Sequence, residues 1–164
     1  MRISEVARRR RFRSFAARRK SRRACLAVSP EGAPSILLVH QDRAIRQTLC
    51  AALQESGYSV IQCNDGRSAM QLLTEAQFDL VITGITLAGA DGLELIASLR
   101  SRHFSPPIVA LADDSERMSQ IYLRLATLLG ATNTQSCPLD PSALLTDVHW
   151  LLHGRADVIR EIVW

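Results

Sequence analysis

A histidine and a cysteine stand where two short apolar segments of this chain end. His40 directly follows residues 36–39, and Cys137 follows the last weakly apolar run. An imidazole beside a thiol can activate it as a nucleophile. No oxyanion donor or orienting acid is identifiable next to them, however, and a cysteine at such a position is more often an inert small side chain. We therefore expect no catalysis here, and we predict that the chain is not an enzyme.

Two further histidines, His149 and His153, are four residues apart. This spacing places both side chains on one face of a helix, where they can hold a metal ion. Structural and catalytic zinc sites typically use three or four protein ligands, and no third one is identifiable nearby in the sequence. We therefore predict a solvated or half-buried helical face, with no metal ion and no other cofactor.

The cysteines are Cys25, Cys50, Cys63 and Cys137. They show no CxxC pairing and no spacing typical of a disulfide framework or a zinc knot. We expect reduced, mostly buried thiols in a cytoplasmic protein. The longest apolar runs are a handful of residues, far short of the roughly 18 that span a bilayer, so no membrane segment is predicted.

The first 35 residues differ from the others in charge. They contain eleven basic side chains and two acidic ones, a net charge of +9, whereas the remaining residues contain nine arginines and fourteen acids, a net charge of −5. The segment has few large apolar groups and a turn-rich end at residues 29–34, so it cannot bury enough surface to fold alone. We predict a disordered, arginine-rich arm and linker over residues 1–35.

Three interpretations of the arm are open. It is either an extension without function, arising from a translation start placed too early, or an organellar targeting peptide, or a binding element for nucleic acid. Electrostatic binding to phosphates needs charge but little structure. The arginines available for it are Arg8, Arg9, Arg10, Arg11, Arg18 and Arg19.

Beyond residue 35, short apolar runs alternate with longer segments of helical periodicity. Residues 36–39, 78–83 and 108–112 are nearly continuous apolar runs, as in strands covered on both faces. The runs 58–61 and 131–134 are more polar and suit the edges of a sheet. This alternation predicts βαβ units. The expected fold class is α/β, a doubly wound (βα)5 fold with a five-stranded parallel sheet.

Apolar faces with a spacing of three to four residues mark five helices. Their marker residues lie within 45–53, 69–76, 93–99, 118–128 and 144–152. Asp65 and Asp91 are predicted to cap helix N-termini, and Gly57 and Gly130 to follow helix C-termini. Ligands of a doubly wound sheet bind at the carboxyl ends of its strands, so these elements position any site at that edge.

The order of the motifs resembles the receiver domain of two-component response regulators. The matching segments are residues 36–42, 57–60, 65–66, 78–83, 91–96, 107–111, 129–131 and 138–139. No single motif is decisive, but their order and spacing together are specific. The resemblance implies a flavodoxin-like strand order 2-1-3-4-5 and a receiver-like domain over residues 36–153. Residues 154–164 follow it as an apolar C-terminal tail.

The resemblance also implies a reaction, the transfer of a phosphoryl group from a kinase histidine to an aspartate of the receiver. Such a transfer needs a carboxylate nucleophile, a Mg²⁺ ion held by acidic oxygens, and cationic and hydroxyl donors for the phosphoryl oxygens. In this chain the phosphoacceptor position falls on Gly84, and the positions of the acidic pair fall on His40 and Gln41. The nucleophile and the metal ligands are thus missing.

The other reaction positions also lack their usual residues. The hydroxyl position after the fourth strand falls on Ala112, the switching aromatic near Thr134 and the lysine on Cys137. Asp42 follows the acidic-pair positions, but the alternation of side chains along a strand is expected to turn it away. The sequence therefore predicts a degenerate, non-phosphorylatable pseudo-receiver.

Two apolar segments are candidates for binding a protein partner. Receiver-like domains typically use the fourth helix and the next strand, where Tyr122, Leu123 and Leu125 lie, although core packing is expected to claim some of them. The tail after residue 153 is too apolar to be idle; it docks on its own domain, pairs with another copy or binds a partner helix.

The expected function is protein–protein interaction in phosphorelay signal transduction. Its partner would be a histidine kinase, another regulator or a second copy of this chain. The alternative is a nucleic-acid-associated regulator in which the basic arm supplies the affinity.

Overall fold

Five parallel strands form one sheet in the order β2-β1-β3-β4-β5 in the computed structural model, which describes residues 32–89, 91–112, 119–136 and 138–154. In chain order the elements are β1 Ser35–Val39, α1 Arg43–Glu55, β2 Ser59–Cys63, α2 Gly66–Glu75, β3 Leu80–Gly84, α3 Gly92–Ser101, β4 Ile108–Ala112, α4 Ser119–Leu129, β5 Asn133–Ser136, α5 Pro141–His149 and a π-helical turn Trp150–Gly154. The predicted fold class and strand order are confirmed.

The three central strands are buried on both faces, because helices cover the sheet on each side. Every residue of β3 and β4 is buried, and so are the last four of β1. The residues of β2 and most of β5 are only half-buried. The two polar runs therefore form the edges, as predicted.

Alternation along the strands divides the core into two layers. On one face Leu37, Val39 and Val81 pack with α2, α3 and α4; on the other Ile36 and Leu38 pack with α1 and α5. Each helix buries one apolar stripe against the sheet. The order of the strands reverses between β1 and β3, and doubly wound sheets bind ligands at the carboxyl ends of the strands at such a point.

The helix ends follow the predicted signals. The Asp65 and Asp91 carboxylates accept hydrogen bonds from the backbone N–H groups of Ser68 and Leu93, and both residues are N-caps. Gly57 and Gly130 adopt φ angles of +90° and +112°, the left-handed conformation that glycine tolerates at the end of a helix.

Two predicted strands begin later than expected. The backbone N–H of Tyr58 still donates to Leu53 at the end of α1, so β2 starts at Ser59. Ala131 N–H likewise donates to the carbonyl of Ala126 at the end of α4, and β5 starts two residues after the predicted position. The hydrogen bonds that end these two helices cannot be seen in the apolar pattern of the strands.

The predicted limits of the domain also change slightly. β1 begins at Ser35, whose N–H and hydroxyl both donate to the Asp79 carboxylate, so this residue belongs to the sheet rather than to the linker. Residues 1–31 of the predicted arm and 155–164 of the predicted tail lie outside the described residues. No helix in the described part of the chain is long and apolar enough to cross a membrane.

Candidate functional site

The carboxyl ends of β1, β3 and β4 bring three predicted site residues to one edge of the sheet. His40 follows β1, Gly84 ends β3 and Ala112 ends β4. The register pairs Val39 with Thr83 and Gly84 with Leu111. The residues at the predicted reaction positions are therefore neighbours in space.

Gly84 faces the His40 ring. A Cβ atom on Gly84 would lie 3.1 Å from Cδ2 and 3.6 Å from Nε2 of His40, and 3.4 Å from Cδ2 of Leu87. The first distance is shorter than an ordinary van der Waals contact. His40 is only 4% exposed. The imidazole thus occupies the space into which a side chain at position 84 would project.

Hydrogen bonds fix the His40 ring in this place. The ring Nδ1 accepts a hydrogen bond from the backbone N–H of Asp42 at 3.1 Å. The backbone carbonyl oxygen of His40 accepts one from the Arg46 guanidinium at 2.6 Å. Because Nδ1 is an acceptor, the neutral ring carries its proton on Nε2. The lone pair of Nδ1 is therefore engaged and does not suit a metal ion. An imidazole also lacks the oxygen ligands that Mg²⁺ requires.

Asp42 is the N-cap residue of α1. Its Oδ1 accepts the backbone N–H of Ile45 at 2.9 Å, and this hydrogen bond is the main cause that holds the pKa of Asp42 below its usual value. The carboxylate is therefore turned to the helix, as expected, and Gln41 beside it is exposed. Within the described residues no group of three His, Cys, Asp or Glu side chains can hold a metal ion.

Two side chains near this edge, those of Thr83 and Cys63, are poorly suited to act as nucleophiles. Thr83 is fully buried, and its hydroxyl donates to the carbonyl of Gly84 at 3.0 Å. Burial raises the pKa of the Cys63 thiol, at the end of β2, to about 12. A thiol with such a pKa is almost entirely protonated near neutral pH and is a poor nucleophile.

The two positions expected to respond to phosphorylation, Ala112 and Thr134, lie at β4 and β5. Ala112 is buried opposite Ser136, and Thr134 is half-buried in β5 opposite Ala110. Cys137 lies outside the described residues, so its predicted approach to His40 stays a prediction.

The predicted interaction residues on α4 divide between core and surface. Leu125 is exposed and Tyr122 is half-buried, but Leu123 is only 8% exposed and packs in the core with Ala126. Core packing, which was expected to claim some of these residues, takes Leu123, because it lies on the stripe of α4 that faces the sheet.

The apolar surface of α4 is larger than the sequence indicated. Ile121 and Leu128, which the periodicity assigned to a packed helical face, are 50% and 82% exposed, and Leu129 is exposed as well. Residues 121, 125 and 128 have helical spacing, so they look like a buried face in the sequence. The stripe that is buried contains Ala126, whose small side chain gives only a weak hydrophobic signal.

His149 and His153 lie at the opposite end of the sheet. His149 is exposed at the end of α5, and His153 is half-buried in the π-helical turn. Their rings adjoin each other beside Tyr58, which directly precedes β2. The contact with Tyr58 joins residues 91 positions apart, and no pattern in the sequence predicts it.

Comparison with known proteins assigns most of the chain to one family. The family model of the response regulator receiver domain matches residues 36–149. The transcriptional activator protein PfeR of Pseudomonas aeruginosa is 36% identical over 88 residues, which cover 52% of this chain and 29% of that protein. The response regulator MprA of Mycobacterium sp. (strain KMS) is 31% identical over 133 residues, covering 69% and 58% respectively.

Solved structures give the same result. The signal receiver domain of an HD domain-containing protein from Pseudomonas fluorescens is 28% identical, with a TM-score of 0.68, and the match covers 76% of this chain and 98% of that one. The chemotaxis response regulator CheY4 of Vibrio cholerae is 27% identical, with a TM-score of 0.64, over 73% and 99%.

The chain spans between 29% and 58% of the length of the two curated relatives described above. The strand order, the helix arrangement and the match over residues 36–149 agree, and the chain belongs to the response regulator receiver domain family of two-component signalling.

Proposed function

We propose that this receiver is not phosphorylated and acts as a protein-interaction module in two-component signalling. The observation that carries the proposal is the contact between Gly84 and His40. The backbone of β3 continues to the phosphoacceptor position, but that position has no side chain, and a buried imidazole occupies the space in front of it.

The chemistry of the edge supports the proposal at each step. An aspartyl phosphate requires a carboxylate, and Thr83, the hydroxyl residue next to Gly84, is buried with its oxygen bonded to the backbone. Mg²⁺ requires several hard oxygen ligands, whereas Asp42 caps a helix and His40 presents a ring. Among the described residues, a phosphoryl group placed here would meet no carboxylate nucleophile and no Mg²⁺ site.

Phosphorylation of the full chain tests this directly. Incubation with acetyl phosphate and Mg²⁺ is expected to leave the intact mass unchanged, while a receiver that has its aspartate gains one phosphoryl group under the same conditions. A stoichiometric acyl phosphate on this chain, lost on treatment with hydroxylamine, would contradict the proposal.

The exposed apolar residues of α4 support the interaction role. Ile121, Leu125 and Leu128 form one stripe of the helix that the described residues do not cover, and apolar side chains grouped on a surface are typical of protein contacts. We place the partner on this stripe, which we call the α4 stripe. The partner is a histidine kinase, another regulator or a second copy of the chain.

The partner can be identified by co-purification with the full chain from its own cells. Mass spectrometry should identify a kinase or a regulator, and Leu128→Asp should remove it. Thr74→Asp, an exposed change on α2, serves as the matched control. Equal recovery of the partner with all three proteins would exclude the α4 stripe.

A second candidate function is nucleic-acid binding through the arm. Its support is the net charge of +9 over residues 1–35, together with a relative that is named a transcriptional activator. Replacing Arg8, Arg9, Arg10 and Arg11 with glutamine should weaken DNA binding and reduce its salt dependence, because fewer counterions are released. Unchanged binding in that variant would exclude the arm.

We also place the protein in the cytoplasm. Neither Cys50 nor Cys63 is in a disulfide, as a reducing compartment would maintain. Detection of the full chain only in an oxidising compartment would contradict this placement.

A further inference from the structure

An open cleft of about 530 Å³ lies at the amino end of the sheet, away from Gly84. It is formed where α1 ends, β2 begins and α5 passes into the π-helical turn. The residues that line it are Ser56, Tyr58, Leu145, Thr146, His149, Trp150 and Gly154. No carboxylate occurs among these residues, so the cleft is unsuited to hard cations such as Mg²⁺ or Ca²⁺.

Two imidazoles lie side by side at this cleft. The ring centroids of His149 and His153 are 4.7 Å apart, with an angle of 44° between the ring planes. Two nitrogens bound to one tetrahedral metal ion at about 2.0 Å each are about 3.3 Å apart. Because a ring centroid lies farther from the metal than the ligating nitrogen does, a centroid separation of 4.7 Å is compatible with two nitrogens on one ion.

Tyr58 supplies a contact that the sequence could not place. Its hydroxyl is 3.5 Å from Nδ1 of His149, and its ring stacks on His153 at a centroid distance of 6.4 Å with an angle of 24°. When Nδ1–H of His149 donates to the Tyr58 oxygen, the lone pair of Nε2 is left for a ligand. A hydrogen bond at the second ring nitrogen is the usual way in which proteins orient a metal-binding histidine.

The backbone at the pair is also unusual. Residues Trp150–Gly154, which include His153, form a π-helical turn instead of continuing α5. Such turns are rare in proteins. Where they do occur, they are often at functional sites, because they displace side chains from the regular helical positions. Here the turn holds His153 against Tyr58 as well as against His149.

We propose that His149 and His153 bind one divalent transition-metal ion of the nickel, copper and zinc group, with Tyr58 as the positioning residue. Neutral imidazole is a preferred ligand of these ions. Water entering from the open cleft completes the coordination. The site lies at the other end of the sheet from Gly84, so it does not depend on the proposed loss of phosphorylation.

Ni²⁺ is a suitable probe because it is paramagnetic and does not oxidise thiols. The chain has only four histidines, His40, His103, His149 and His153, so their imidazole NMR signals can be assigned one by one in the full chain. Substoichiometric Ni²⁺ should broaden the signals of His149 and His153 first, and leave His103 sharp. Broadening centred on other residues, with this pair unaffected, would overturn the proposal.

Calorimetry of the full chain with Ni²⁺ provides a second test. His149→Ala and His153→Ala should each weaken the binding event at this site at least tenfold, and Tyr58→Phe by about tenfold, the lower end of the effect of losing an outer hydrogen bond. His103→Asn is the matched control; asparagine tolerates the φ of +57° at that position. If both alanine variants retain the affinity and stoichiometry of the unchanged chain, the site does not exist.

Discussion

The imidazole of His40 and the backbone of Gly84 are complementary in shape. A single added carbon at position 84 would come within 3.1 Å of the His40 Cδ2 atom. The ring Nδ1 accepts a hydrogen bond from the backbone N–H of Asp42, so the ring cannot move away from Gly84 without losing that bond. The absence of a side chain at Gly84 and the presence of this ring are therefore coupled features of one site.

The first prediction concerns that coupling. Gly84→Ala should destabilise the fold by about 1–3 kcal/mol, the usual cost of adding an atom group to a filled core. In the background of His40→Ala the same change should cost less, because the ring is gone. The free energy of unfolding, measured with urea for the four proteins of the cycle, should show a coupling of at least ~0.5 kcal/mol.

The control for this cycle is His103→Asn, at the other end of the sheet. Its effect and that of Gly84→Ala should add within about 0.5 kcal/mol, as expected for distant sites. Additive effects of Gly84→Ala and His40→Ala as well would show that the ring does not restrict position 84.

The second prediction is that restoring the aspartate alone does not restore the reaction. Gly84→Asp places a carboxylate against the His40 ring, with no Mg²⁺ ligands beside it, so acetyl phosphate should give no acyl phosphate. Replacement of the acidic-pair, phosphoacceptor, hydroxyl and lysine positions together should give the acyl phosphate, as measured by intact mass. The set is His40→Asp, Gln41→Asp, Gly84→Asp, Ala112→Thr and Cys137→Lys.

A phosphorylated Gly84→Asp protein would contradict this prediction, since it would show that the remaining residues suffice. The protein with the other four replacements but without Gly84→Asp is the matched control. It rebuilds the surroundings but lacks the nucleophile, and should therefore remain unmodified.

The sequence predicted the parts of the fold that depend on continuous patterns. The central strands were found because apolar side chains follow one another without interruption, and the N-caps because Asp65 and Asp91 precede helical segments. The strand starts at Ser59 and Asn133 were missed, because hydrogen bonds that close the preceding helices decide them. These bonds leave no mark in the hydrophobic pattern.

The candidate sites were only partly predictable for a related reason. The strand periodicity placed His40 and Gly84 at one edge, but not the inward turn of the ring, which depends on the Asp42 N–H. On α4 the apolar stripe was visible, but whether it faces the sheet or the solvent is decided by packing. Tyr58 and His149 meet across 91 residues, and only the folded topology brings them together.

The third prediction concerns Asp65. Its carboxylate accepts the backbone N–H of Ser68 at 2.7 Å and the Ser68 hydroxyl at 2.8 Å, and these bonds hold its pKa below the usual value. A depressed pKa in the folded state means that the group stabilises the fold above its unfolded pKa, near 3.9. This contribution is lost as the pH falls through the lower, folded pKa.

Asp65→Ala should therefore cost about 1 kcal/mol at pH 7, the usual effect of removing an N-cap. The difference in unfolding free energy between the two proteins should shrink when urea unfolding is measured at successively lower pH below about 4. Glu75→Ala, an exposed change at the end of the same helix, is the control. A difference that stays constant with pH would exclude the carboxylate as the source.

The last prediction separates the core face of α4 from the α4 stripe. Leu123→Ala should destabilise the fold by about 2–5 kcal/mol, as for other buried leucines, because its side chain packs with the sheet. Leu128→Ala, five residues later and 82% exposed, should change stability by no more than ~0.5 kcal/mol and yet weaken binding of the identified partner. Urea unfolding and a binding titration measure the two effects. If Leu128→Ala destabilises as much as Leu123→Ala, the stripe is packed within the chain and cannot be the docking surface.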